Sequence, residues 1–74
     1  AKETIIGTKQ AVKAMKKGLV KEVYIALDIE ERIIELARTT AQENNVSINY
    51  VESKVDLGKA CGLRLAASVV AITV

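Results

Sequence analysis

Apolar and polar positions follow two alternating periods along the chain. Thr4-Ile5-Ile6 is a short β-branched run stopped by Gly7, and it predicts a first strand. From Thr8 the period lengthens. Ala11, Val12, Met15 and Leu19 recur at spacings of one, three and four, which predicts a helix over 9–17 with Thr8 as N-cap and Gly18 just past its end. Val20 to Leu27 returns to a strand pattern. Asp28-Ile29-Glu30-Glu31 has the form of a capping box, with Asp28 capping a helix that carries Ile33, Ile34, Leu36, Ala37 and Ala41 and fades at Asn44-Asn45. Ser47 to Val51 alternates like a half-buried strand. Ser53 with Asp56 is a second capping box, opening a short helix to Cys61 that Gly62 ends. Residues 63–65 connect it to a last strand, Ala67 to Val74. Strands alternating with helices predict an α/β fold in three layers, with helices on both faces of a small sheet and one domain over residues 1–74.

Composition narrows the chemistry. The 74 residues contain no histidine, proline, tryptophan or phenylalanine, and one cysteine. A single Cys61 forms no internal disulfide, and with no histidine the ligands for a zinc site are too few. The usual general base for a Ser or Cys nucleophile is also missing, so the expectation is a protein that is not an enzyme and takes neither metal nor cofactor. No basic-plus-apolar leader opens the sequence, and the apolar run Leu65 to Val74 is far short of the roughly 20 residues of a membrane-spanning helix. It reads instead as a buried strand. The expected setting is a reducing cytoplasm, without membrane contact, and the expected state a monomer.

The net charge of +2 hides a division. Residues 1–21 hold six lysines against Glu3, a net +5. Residues 22–52 hold Arg32 and Arg38 against seven carboxylates, a net −5, and residues 53–74 recover +2 through Lys54, Lys59 and Arg64 against Asp56. Basic ends around an acidic middle suit an anionic partner for one face. Gly58-Lys59 is not a P-loop, since Ser53 stands where that motif needs its first glycine and Ala60 where it needs Ser or Thr.

Two segments carry a recognition signal. Lys9, Lys13 and Lys16 stand at i, i+4 and i+7, one stripe opposite Val12, Met15 and Leu19, with Gln10 beside it. The helix start adds free backbone N–H groups suited to phosphate, and Gly7 would let another backbone approach. The second segment is Leu63-Arg64-Leu65. Its leucines are either core plugs, which periodicity favours, or an exposed tip able to cover a splayed base while the guanidinium takes a phosphate.

Ile5-Ile6-Gly7-Thr8-Lys9-Gln10-Ala11-Val12-Lys13, followed by Lys16-Lys17-Gly18, resembles the first-helix motif of kink-turn RNA-binding ribosomal proteins of the L7Ae family. Leu57-Gly58-Lys59-Ala60-Cys61-Gly62-Leu63-Arg64-Leu65-Ala66-Ala67 resembles the same family's second motif. The likeness extends from about Ile5 to Val74 and is nearest to the short bacterial members. It implies an α/β/α sandwich on a mostly four-stranded mixed sheet. It also implies binding to a kink-turn, an RNA helix bent at tandem sheared G·A pairs, in ribosomal RNA or another structured RNA. Lys9, Gln10 and Lys13 would then contact guanines, with backbone contacts from Gly7 and Thr8. Lys16 would extend the basic face and Lys59 would approach phosphates. Leu63, Arg64 and Leu65 would cover a flipped-out nucleotide. Many archaeal and eukaryotic members carry Asn at the position of Lys9 and Glu at that of Gln10. A carboxylate accepts strongly from guanine N–H groups and an amide less so, so the exchange trades base discrimination for charge attraction. On this resemblance the basic ends form an RNA face and the acidic middle turns away from it. The alternative is an assembly subunit that docks an acidic protein on the first helix.

Overall fold

The β-branched runs form strands and the amphipathic stretches between them form helices in the computed structural model, which describes residues 3–62 and 64–74. The order is β1 (Thr4–Ile6), α1 (Thr8–Lys16), β2 (Val20–Ala26), α2 (Glu31–Glu43), β3 (Ser47–Val51), α3 (Lys54–Ala60) and β4 (Val69–Thr73). Four strands pair in the order β1-β4-β2-β3. The β2–α2–β3 crossover makes its two strands parallel, whereas β4 runs antiparallel to both β1 and β2. The sheet is therefore mixed.

This topology collects four chain passages on one edge. Ile6 pairs with Val70, Ile25 with Val69, and Ala26 with Val51, so the ends of β1, β2 and β3 and the start of β4 lie side by side. Backbone bonds continue past the strands: Gly7 N–H donates to Val69 O (3.0 Å), Ala26 N–H to Ser68 O (2.9 Å) and Leu27 N–H to Val51 O (2.9 Å).

Side chains alternate between two layers, as the strand period requires. Val23, Ile25, Val69 and Ala71 pack with Ala11, Ala14 and Met15 of α1 and with Ala37 and Ala41 of α2. Ala26 and Val70 face the other way, onto Leu57 of α3 and Ala67. The largest fully buried side chains are Met15, Ile25, Leu57, Val23, Val69 and Val70. Each contributes roughly 1.5–3 kcal/mol by leaving water.

The helix ends differ from the sequence expectation in instructive ways. α1 starts one residue early, with Gly7 rather than Thr8 in the capping position. It closes on a Schellman motif, in which Gly18 N–H donates to Met15 O and Leu19 N–H to Ala14 O, both at 3.1 Å. Leu19, the last residue of that motif, is about half exposed, so it is not part of the buried stripe. Asp28 does not cap α2. The helix begins at Glu31 behind Glu30, which leaves Asp28 too far back. Its Oδ1 accepts instead from Lys54 N–H at 2.8 Å, satisfying a donor at the start of α3. Ser53 caps α3 as its sequence predicts, accepting from Asp56 N–H at 3.1 Å.

The last strand begins at Val69, later than the apolar run suggests, because the chain before it crosses α3. Ala67 N–H donates to Lys54 O at 3.0 Å. A Cβ on Gly58 would overlap the Leu65 carbonyl oxygen and sit 3.1 Å from its carbon. Gly58 is thus the bare patch of helix over which this segment passes. Gly58→Ala must displace backbone, a cost in the upper part of the roughly 1–3 kcal/mol typical of overpacking. The better helix propensity of Ala returns about 1 kcal/mol. Thermal melts should show a midpoint lowered by several degrees, since each kcal/mol shifts a domain of this size by about 4–8 °C. A melt that overlays the unsubstituted chain would contradict this packing.

Candidate nucleic-acid interface

Gly7 holds φ 110° and ψ 144°, a region open to glycine and strained for other residues. A Cβ there would meet nothing within 4 Å, so the requirement is conformational and not one of close approach. Gly7 offers no side chain to cap α1. The first intrahelical donor is Ala11 N–H, on Gly7 O at 2.9 Å, and the N–H groups of Thr8, Lys9 and Gln10 therefore point out of the helix start without helical acceptors. That end carries the positive pole of the helix dipole.

Lys9, Gln10, Lys13, Lys16 and Lys17 are exposed, opposite the buried Ala11, Ala14 and Met15. Two shallow grooves flank them. One, toward α2, is lined by Lys9, Val12, Lys13, Lys16 and Leu36. The other, toward β1, includes Ile5, Gln10, Lys13, Lys17 and Leu19. The ion pairs among the described residues are Arg32–Glu30 (3.2 Å) and Arg38–Glu35, and neither engages a lysine. Glu35 raises the Arg38 pKa by its hydrogen bond and then by its charge, so Arg38 is committed within α2 while the α1 lysines are not.

The segment before β4 meets this helix start. Arg64, Leu65 and Ala66 line a shallow, mainly apolar pocket with Ile6, the residue before Gly7. Leu65 is 80% exposed and Ile6 42%. The core reading of Leu65 is thereby excluded: the chain has already been turned outward by its crossing of Gly58. Leu63 lies outside the described residues.

Two candidates change weight. Lys59 sits in the last turn of α3, about 7–8 Å along the axis from Lys54. Its neighbours Ala60 and Cys61 stand over Thr4, Glu22 and Ile72, toward the opposite edge of the sheet. Lys59 itself is exposed and follows Gly58, the residue over which Leu65 crosses α3. Lys54, which the sequence reading counted only as charge, is placed at the edge by its backbone bonds to Asp28 and Ala67, with an exposed side chain. The signal available for it was Ser53: an N-cap there puts Lys54 in a first helical turn, at the strand-end edge where α1 also begins.

The acidic middle does not turn wholly away. Asp28, Glu30 and Glu31 follow β2 and Glu52 follows β3, so they share the edge with α1. Because β4 lies between β1 and β2, the acidic residues after β2 stand about 10 Å along the sheet from the start of α1, and Glu52 after β3 about 14 Å. Charge is divided across one edge and not between two faces. No described helix is long and apolar enough to cross a membrane, and among the described residues no three His, Cys, Asp or Glu gather as metal ligands.

Residues 1–74 match the model of the Ribosomal protein L7Ae/L30e/S12e/Gadd45 family. The chain belongs to this family. Similar members include an RNA-binding protein of Bacillus pumilus, 46% identical over 72 residues that cover 97% of this chain and 88% of that one. The RNA-binding protein YbxF of Geobacillus stearothermophilus is 43% identical over the same shares of the two chains. A solved structure of a Bacillus halodurans C protein of unknown function superposes with a TM-score of 0.87, covering 96% of this chain and 71% of that one. At 21% identity that likeness is one of fold.

In this family member the exposed Leu65 contributes little to the core. Leu65→Ala should change the free energy of unfolding by no more than about 0.5 kcal/mol, as surface substitutions do. Urea titration checks this, and a loss several times larger would show that the leucine is core after all.

Proposed function

We propose that this chain is an RNA-binding protein that recognises and stabilises kink-turns in structured RNA, without a catalytic step. The observation that carries the reading is the meeting, at one sheet edge, of the α1 start with the Arg64–Ala66 segment. Family membership and relatives named as RNA-binding proteins support the same class of partner.

Each part of the edge has a matching part in a bent RNA. Sheared G·A pairs leave guanine edges exposed where the kink opens the groove. Lys9 and Lys13 donate to O6 or N7 acceptors there, and the Gln10 amide both donates and accepts. Gly7 N–H is held by Val69 O, so Thr8 brings the free main-chain N–H and Gly7 an unobstructed backbone close to the RNA, with the helix dipole favouring phosphate. An unstacked base needs an apolar cover. Leu65 and Ile6 supply it, with Arg64 beside them for the adjoining phosphate. Lys54 adds a second cation on the other side of that segment.

The mechanism is a shift of population. An RNA that exchanges between extended and kinked forms is drawn to the kinked one when only that form meets both halves of the edge. Lys9 and Gln10 weight the contact toward charge, so affinity should be strongly salt-dependent.

A gel-shift titration compares a kink-turn duplex with the same duplex lacking its G·A pairs. Preference for the kink-turn is expected, and equal affinity for both would refute it. Lys13→Ala should cost about 1–3 kcal/mol of binding through a guanine contact, with relaxed discrimination between the two RNAs. A uniform, smaller loss on both would reassign Lys13 to phosphate.

A further inference from the structure

β3 ends the sheet, with β2 on one side and no described strand on the other. Monomeric proteins blunt such edges by shortness, charge, proline or a bulge. β1, at the other end, has only three residues. β3 has five, Ser47-Ile48-Asn49-Tyr50-Val51, with neither charge nor proline, and its register against β2 is unbroken. The irregularity in this sheet lies between β2 and β4. Tyr50 on β3 is 49% exposed. The edge is open to another strand.

Its backbone groups indicate which strand fits. Leu27 N–H donates to Val51 O, whereas Ala26 N–H turns the other way, to Ser68 O. Tyr50 stands opposite Ile25 and Val51 opposite Ala26. Alternation along the ladder therefore points the peptide groups of Ser47, Asn49 and Val51 at β2, and those of Ile48 and Tyr50 outward. Antiparallel strands exchange two bonds between opposed residues whose N–H and C=O groups face each other. A second β3, antiparallel about a twofold axis at Asn49, sets each Ile48 opposite the other copy's Tyr50. All the outward groups of both residues then find partners.

The side chains match as well. Ile48 already packs on the core layer beneath α2, and an aromatic against a β-branched side chain is a favourable cross-strand pair. On the other face Asn49 meets its own copy, and an amide both donates and accepts. Glu52 is the nearest charge beyond the strand. In this register it lies opposite Val46, about 20 Å from its counterpart, so the two carboxylates do not repel. Arg38, on the flank of α2 near Tyr50, is already paired with Glu35. The alternative contact, β3 on the short β1 of another copy, is head to tail and does not close.

We propose that β3 is a dimerisation edge, at which two copies of this chain join their sheets antiparallel about Asn49. The inference is independent of the kink-turn reading. It departs from the monomer expected of the sequence, because which strand stands at an edge is a matter of strand order. The antiparallel arrangement points the α1 starts of the two copies in opposite directions, so both candidate interfaces stay open.

Sedimentation equilibrium on nuclease-treated protein in high salt is the test. The mass should rise with concentration from one chain to two and stop there. Asn49→Asp and Asn49→Lys each set like charges on the axis, and each variant alone should remain a single chain. An equimolar mixture of the two should recover the dimer, which damage to the fold would not allow. A second measurement uses disulfide formation in a Cys61→Ser background. Asn49→Cys should crosslink under mild oxidation, because opposed residues of this kind have Cα atoms about 4.5 Å apart, within disulfide reach. Ser47→Cys, about 14 Å from its counterpart in this register, should not. A mass of one chain at every concentration overturns the proposal, as does growth beyond two chains. So does a mixture that stays monomeric, or crosslinking equal at the two positions. A dimer that forms only when nucleic acid is present would assign the association to RNA and overturn it too.

Discussion

β4 enters the sheet antiparallel between β1 and β2, and its first residues are fixed there by Gly7 N–H on Val69 O and Ala26 N–H on Ser68 O. Had β4 joined the sheet beyond β3, the α1 start and the Arg64–Ala66 segment would lie at opposite ends of the edge, too far apart to share a ligand. The insertion also supplies Val69 and Ala71 to one core layer and Val70 to the other. The same five residues therefore hold the two helical layers together and set the geometry of the candidate interface. A chain of 74 residues has little core to spare, and this economy ties stability and recognition to one strand.

A second constraint acts through Gly58. Leu65 is carried outward because the segment before β4 must cross α3, and that crossing needs a helix surface without a Cβ. The motif Leu57-Gly58-Lys59 is thus one buried anchor, one bare backbone patch and one solvated cation. Its apparent likeness to a phosphate-binding glycine-lysine pair is accidental. Positive charge at the candidate interface also comes from α1, from Arg64 and from Lys54 at the start of α3.

Much of this was legible in the sequence. Period and punctuation locate all seven elements to within a residue or two at most ends, because β-branched runs and glycine stops are local signals. Ser53 declared its cap, and Asn45, at φ 56°, takes the left-handed turn that the fading of α2 at Asn44-Asn45 suggests. What stayed hidden depends on contacts between distant residues. Asp28 looks like a cap for its own helix, yet its partner is Lys54, 26 residues on. Leu65 belongs to an apolar run that reads as strand, and only the passage over Gly58 turns it to solvent. The lysine stripe of α1 is visible from spacing alone. That the acidic loop after β2 lies on the same edge is a fact of strand order, which no window along the chain contains.

On the proposed reading, the kinked form of the RNA is the species that both halves of the edge meet together, and the shape of the bound RNA tests this most directly. A kink-turn RNA labelled on its two stems reports the bend by energy transfer while protein is titrated under conditions where the free RNA is mainly extended. Selection of the kink by this edge predicts a rise in transfer that saturates with binding, and no such rise for RNA without the G·A pairs. Saturable binding with transfer unchanged would contradict it.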